Sequence, residues 1–136
     1  MKNLIRLIYT SRATVPFDDS EIESLLVKSR RTNYDAAITG VLSFSHGCFL
    51  QVLEGPESGV LTLYSRILND TRHRECVIIS IQLIRTRLFP NWSMGLVRPS
   101  KKVGYQYNEL LDYRVVTDDP VTSRNFLENL FEVVTD

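Results

Sequence analysis

Phe49-Leu50-Gln51-Val52-Leu53-Glu54-Gly55 is an apolar run with one amide side chain at its centre. Side chains on a strand alternate faces, so Phe49, Gln51 and Leu53 share one side and Leu50, Val52 and Glu54 the other. Gln51 is thereby set between two large apolar neighbours. Desolvating an unpartnered glutamine costs on the order of 1–3 kcal/mol, so both ends of its amide need partners. Backbone or water would serve in a core, and a ligand would serve in a site.

Outward from this strand the pattern is regular. Residues 4–11 read as a strand rich in branched side chains, with Ile5, Leu7, Tyr9 and Ser11 on one face. Asp18 and Glu21 have capping-box spacing and open a helix to about residue 33, with Ile22, Leu25 and Leu26 as its apolar stripe. Two helical turns carry Asn33 back to the face of Leu26, so Ser29 and Asn33 either continue that stripe as polar groups or fray into solvent. Residues 38–43 form a second strand, Ser45-His46-Gly47 turns, and residues 48–54 return as the third. Gly55-Pro56 starts a second helix, Pro suiting its first position, with Val60, Leu63, Tyr64, Ile67 and Leu68 at helical spacing. It ends in the polar cluster Asn69-Asp70-Thr71-Arg72-His73. Residues 76–87 make a fourth strand, Phe89-Pro90-Asn91 breaks it, and residues 92–97 form a fifth. Residues 105–113 are a weak helix, and residues 123–134 carry the stripe Phe126, Leu127, Leu130, Phe131 and Val134.

Strand–helix–strand therefore occurs twice. The expected fold is α+β, a ferredoxin-like βαββαβ unit over residues 1–98 with an additional fifth strand, and C-terminal helices over 99–136 packed on the same domain. Both helices are expected on one sheet face, with the first and third strands as parallel central neighbours. That pairing sets Tyr9 beside Gln51 under the groove between the helices, with Asn33, Asp70 and Arg72 at its rim. Such a groove is a default ligand site.

Composition narrows the function. The chain has 136 residues, is 43% hydrophobic and has equal numbers of acidic and basic residues. One domain with a sizeable core follows, and zero formal charge argues against gripping nucleic acid or anionic lipid by charge. Cys48 and Cys76 lack metal-ligand or CxxC spacing, so reduced thiols, no metal and a cytoplasmic location are expected. No apolar run is long enough to span a bilayer, and no signal-peptide core follows Met1-Lys2-Asn3.

Five segments in order, Leu7-Ile8-Tyr9-Thr10-Ser11, Ile38-Thr39-Gly40-Val41-Leu42, the Gln51 strand, Asp70-Thr71-Arg72-His73 and Phe89-Pro90-Asn91-Trp92-Ser93-Met94, closely resemble the BLUF domains, blue-light sensors that use flavin. The resemblance covers roughly residues 3–98 and is to the short stand-alone type. It implies that a flavin ring, as FAD with FMN as an alternative, lies between the two helices. Tyr9 would be the photochemical electron and proton donor, Gln51 the bridge from Tyr9 to the flavin, and Asn33 a ligand of the ring's carbonyl edge. Asp70 and Arg72 match other ring-edge positions, and Ser11, Ser29, Ile67 and His73 join the cofactor-binding set. Arg30 and Arg66 would serve the phosphate of the tail. Trp92 and Met94 match the strand-five pair linked to signalling. Thr32 departs from the Asn or His usual before the ring-binding Asn, and its hydroxyl has a shorter reach.

The implied function is a photoreceptor and not an enzyme. A neutral amide presents either an acceptor or a donor to the same neighbour by rotating or tautomerising, so Gln51 is the switch. Light-driven switching would pass to strand five and the C-terminal helices and control contacts with a second copy or a separate protein effector. Two rival readings share the strand order. An RNA-binding module would turn Tyr9 and Phe49 away from the helices, and an acyl-phosphate hydrolase would use Arg12 and Asn33, leaving Gln51 and Trp92 without roles.

Overall fold

The computed structural model describes residues 3–97, 105–112 and 127. The elements run β1 (Leu4–Ala13), α1 (Asp19–Asp35), β2 (Thr39–Ser45), β3 (Cys48–Pro56), α2 (Glu57–Leu68), β4 (His73–Ile84), β5 (Gly95–Leu96) and α3 (Tyr107–Leu111). Among the described residues the strands form one sheet in the order β4-β1-β3-β2-β5. This is the ferredoxin-like α+β arrangement with a strand added beside β2.

One expectation about the sheet is corrected. β1 and β3 are central neighbours but antiparallel, with Tyr9 directly opposite Gln51. The reason lies in the β2–β3 connection. His46 and Gly47 make a two-residue hairpin loop between the paired Ser45 and Cys48, and both have positive φ, 50° and 73°. That is the type I′ geometry whose twist suits a tight hairpin, so β3 must run against β2. The pairing of Tyr9 with Gln51 survives because direct neighbours in either orientation share a face.

Local chemistry sets the helices. Asp18 accepts from the Glu21 amide at 2.8 Å and the Glu21 carboxylate accepts from the Asp18 amide at 3.4 Å, closing the capping box that the spacing predicts. α1 continues to Asp35, two residues past its expected end. Pro56 is the N-cap of α2 rather than its first helical residue, because β3 extends through it.

Two apolar layers sandwich the sheet. On one face Ile5, Leu7, Tyr9, Phe49 and Leu53 pack with Ile22 and Leu26 of α1 and Val60 and Tyr64 of α2. On the other, Ile8, Leu50, Val52, Ile79 and Phe89 pack with Tyr105, Leu110 and Leu127. Tyr105, Leu110 and Leu127 thus cover the face opposite α1 and α2. Of the predicted stripe, Phe126, Leu130, Phe131 and Val134 lie outside the described residues. Buried among the back-face residues, the Glu54 carboxylate accepts from Arg6 Nε at 2.8 Å and from the amides of Leu88 and Phe89 at 2.9 and 2.8 Å. It anchors the turn that follows β4.

β4 begins at His73, earlier than expected, and ends at Ile84. The fifth strand is shorter than the predicted 92–97: only Gly95 and Leu96 pair, parallel to Val41 and Leu42. The backbone before them is engaged by other groups. Trp92 O accepts from the Gly40 amide, Ser93 O from Asn33 Nδ2 and Met94 O from Arg30 Nε, each at 2.9 Å.

Candidate functional site

A groove of about 350 Å³ opens between α1 and α2 above the β1/β3 pair. Its floor is Tyr9, Leu42, Phe49 and Gln51. One wall is the α1 face Leu25, Lys28, Ser29, Thr32 and Asn33, and the other is Leu63, Arg66 and Ile67 of α2. Phe17, Asp70, Arg72 and His73 complete the lining.

The buried amide finds the partners its burial requires. The Tyr9 hydroxyl donates to Gln51 Oε1. Burial, reinforced by Cys76, Tyr64 and Asp70, holds the Tyr9 phenol far above its ordinary pKa. It is therefore a neutral O–H donor at physiological pH. With Oε1 accepting from Tyr9, the amino group faces Met94, and Nε2 donates to Sδ at 3.3 Å. A chain of three side chains on β1, β3 and the approach to β5 thus runs from the groove floor to Met94 beneath it. The Tyr64 ring packs on Tyr9 at 5.2 Å, and burial lifts its phenol to about 12.

At the C-terminal end of α2, His73 bridges two elements. Its Nε2 lies 2.6 Å from the Ile67 carbonyl and its Nδ1 2.7 Å from Ser11 Oγ. A carbonyl only accepts, so Nε2 carries the hydrogen and, in the neutral ring, Nδ1 accepts from Ser11. Asp70 accepts from Arg72 Nε at 2.9 Å and from the Arg72 amide at 3.0 Å. That bonding draws the Asp70 carboxyl down to about 2, against a smaller opposing effect of burial. The pair fixes the turn at the groove rim. Lys28 and Arg66 add positive charge to the same opening.

Of the residues singled out from the sequence, Tyr9, Ser29, Thr32, Asn33, Gln51, Arg66, Ile67, Asp70, Arg72 and His73 line this groove. Four do not. Ser11 is buried behind the lining and is bonded to His73. Arg30 turns one helical position away and binds the Met94 carbonyl. Met94 is buried under Gln51, whereas Trp92 packs on Phe89 of the opposite layer at 6.0 Å. Of the two, Met94 is therefore the one in contact with the glutamine. Thr32 bonds back to the Lys28 carbonyl at 3.4 Å. Lys28 was missed, although helical arithmetic places it on the face of Leu25, Ser29 and Thr32. Phe17 lies in the loop before α1, where no periodicity signals its direction. Tyr9 and Phe49 both face the helices, which is the opposite of what an RNA-stacking sheet needs.

The family model for sensors of blue light using FAD, BLUF, matches residues 4–95. The beta subunit of a photoactivated adenylate cyclase from Euglena longa is 34% identical over 92 residues, 67% of this chain but 11% of that protein. The blue light- and temperature-regulated antirepressor BluF of Escherichia coli K12 is 33% identical over 93 residues, 68% of this chain and 23% of its own. This chain therefore spans only about a tenth to a quarter of these two relatives. Among solved structures, the dark state of BlrB, a BLUF protein, superposes with a TM-score of 0.69 at 34% identity over 74% of this chain and 76% of that one. The photo-activated state of BlsA shares the fold along 98% of both chains, with a TM-score of 0.73. Among the described residues no helix is long and apolar enough to cross a membrane.

Proposed function

The chain belongs to the BLUF family, the sensors of blue light using FAD, and from that premise we propose that the groove between α1 and α2 holds a flavin and that Tyr9, Gln51 and Met94 form its light-switched hydrogen-bond chain. The observation that carries the reading is the direction of that chain: phenol to amide oxygen, amide nitrogen to thioether. The groove fits the group. At about 350 Å³ it is at the small end of the roughly 300–1,000 Å³ usual for such ligands, which suits the ring with its tail outside. Leu25, Leu63 and Ile67 offer apolar walls for a flat ring, and Gln51 and Asn33 offer amides at one edge.

Bound there, flavin would supply blue-light absorption and, when excited, a one-electron oxidant. The residues supply the rest. Tyr9 gives an electron and its phenolic proton along the bond to Gln51 and recovers both. Gln51 reorients or tautomerises while the phenol is deprotonated, because the Tyr9 oxygen it faced as a donor then has no hydrogen to give and only accepts. Asn33 orients the ring edge, Ser29 and Thr32 line its path, and the Asp70–Arg72 pair closes the rim. Lys28 and Arg66 at the opening favour a phosphate-bearing tail, and FAD is the preferred form over FMN. The signal leaves through Met94, Trp92 and β5 to the C-terminal residues 99–136, and is read by a second copy of the chain or by a separate protein effector. No catalytic step on a substrate is assigned to the chain.

Titrating the purified protein with FAD and with FMN, then illuminating it at the blue flavin band, tests this. A yellow complex with a small reversible red shift is expected, tighter for FAD. Failure to take up either flavin would overturn it.

A further inference from the structure

We propose that Arg30 is a positioning residue, a latch on α1 that holds Met94 under Gln51 and so sets the rate at which the switched amide relaxes; this rests on the photoreceptor reading for its kinetic consequence only. Three successive carbonyls, those of Trp92, Ser93 and Met94, are held at 2.9 Å by the Gly40 amide, Asn33 Nδ2 and Arg30 Nε. Consecutive carbonyls of a regular strand point to opposite edges, so the acceptance of bonds from two α1 side chains at Ser93 and Met94 marks a segment held by side chains and not by a ladder. The sheet resumes only at Gly95.

Asn33 and Arg30 lie one helical turn apart and share a face. Of the two, Asn33 also lines the flavin groove, while Arg30 lies outside it. Arg30 therefore acts on Met94 from outside the groove. Its guanidinium makes a charge-assisted bond to the carbonyl. Glu23, two turns earlier, lies 3.7 Å from Arg30 Nη1 and restrains it from behind. Met94 is 1% exposed and its Sδ receives Gln51 Nε2, so the latch fixes the group that the switching amide faces. Trp92, half-buried over Gly95 and Phe89, lies two residues from Met94 on the same held segment and therefore reports on its placement.

Trp92 is the chain's one tryptophan, which gives a readout independent of flavin. In the flavin-free full-length chain, Arg30→Ala should shift Trp92 emission and change its acrylamide quenching constant at least twofold. Arg30→Lys should restore most of the wild-type value, and Arg31→Ala, an exposed neighbour on the same helix, should leave it unchanged. Circular dichroism verifies that each variant is folded. In the flavin-loaded chain, Arg30→Ala should change the dark-recovery rate about tenfold, the scale of losing a hydrogen bond from a charged donor. Wild-type Trp92 quenching in Arg30→Ala would overturn the latch. A changed Trp92 signal with an unchanged recovery rate would overturn its kinetic role. If no variant photocycles, the photoreceptor reading fails, while the Trp92 measurements still decide whether Arg30 holds Met94.

Discussion

Gln51 Nε2 lies 3.3 Å from Met94 Sδ, and a thioether accepts a weak hydrogen bond but never donates one. The two orientations of the Gln51 amide are therefore unequal. As found, Oε1 receives the Tyr9 hydrogen and Nε2 faces an acceptor. Turned over, Oε1 would face sulfur with nothing to accept, while the amino group would face the Tyr9 oxygen. The floor of the groove is a two-state element with a built-in preference.

Removing the sulfur should weaken that preference without unfolding the protein. Met94→Leu conserves volume and should cost less than about 1.5 kcal/mol in stability. Because the resting orientation loses a contact worth about 0.5–1 kcal/mol, recovery after illumination should slow by roughly two- to fivefold. Absorbance decay in the dark measures it, and wild-type kinetics would remove Met94 from the bias.

Glu54 is the most exacting residue of the back face, since one buried carboxylate serves Arg6 and two backbone amides. Glu54→Ala strands the Arg6 guanidinium, which is 3% exposed. Loss of a buried partner of this kind costs about 3–5 kcal/mol. Urea denaturation should show a loss of this size, and a variant within 1 kcal/mol of wild type would mean that water or another acceptor replaces the carboxylate.

Two glycines should respond differently to the same methyl group. A Cβ on Gly40 would collide with the Val52 carbonyl oxygen of the paired strand, whereas nothing lies within 4 Å of a Cβ on Gly47. Gly47→Ala then bears only the left-handed backbone cost, about 1–2 kcal/mol. Gly40→Ala must displace the β3 backbone at Val52, the residue next to Gln51, and should leave little folded protein. Expression and thermal melts of both variants provide the comparison, and equal behaviour would contradict it.

Acid should leave the groove rim intact longer than an ordinary aspartate would allow. The Asp70 carboxyl is lowered from 3.8 to about 2, first by its bond from Arg72. A depressed carboxylate contributes stability above its unfolded value, and that contribution is lost as pH falls from 3.8 toward about 2. NMR titration of the Asp70 side chain should give a midpoint near 2, and Arg72→Ala should return it toward 3.8. A midpoint near 3.8 in the wild type would show that the pair does not persist in solution.

Much of this was legible because it follows from short-range rules. Face alternation put Phe49, Gln51 and Leu53 together, helical spacing brought Asn33 to the groove, and Asp18 with Glu21 marked the start of α1. The orientation of β3 relative to β1 was misjudged because adjacency was inferred without following the hairpin turn at His46-Gly47, which reverses the chain. Pro56 at the cap of α2 depended on how far β3 runs. The fate of Arg30 and Ser11 was out of reach for a different reason. Both have their partners, Met94 O and His73 Nδ1, more than 60 residues away in sequence, and no local period reports a side chain's distant acceptor. The brevity of β5 has the same origin, since side chains of α1 take carbonyls that a ladder would otherwise use.

The central claim is that Tyr9 and Gln51 form one switching unit, and the blue-light difference spectrum of the flavin-loaded wild type beside Tyr9→Phe and Gln51→Leu tests it most directly. The hydroxyl and the amide are links of one chain, while the apolar walls Leu25, Leu63 and Ile67 are untouched by either substitution. Both variants should therefore retain flavin and lose the reversible red shift entirely. A normal red shift and recovery in either variant, with flavin bound, would contradict the account.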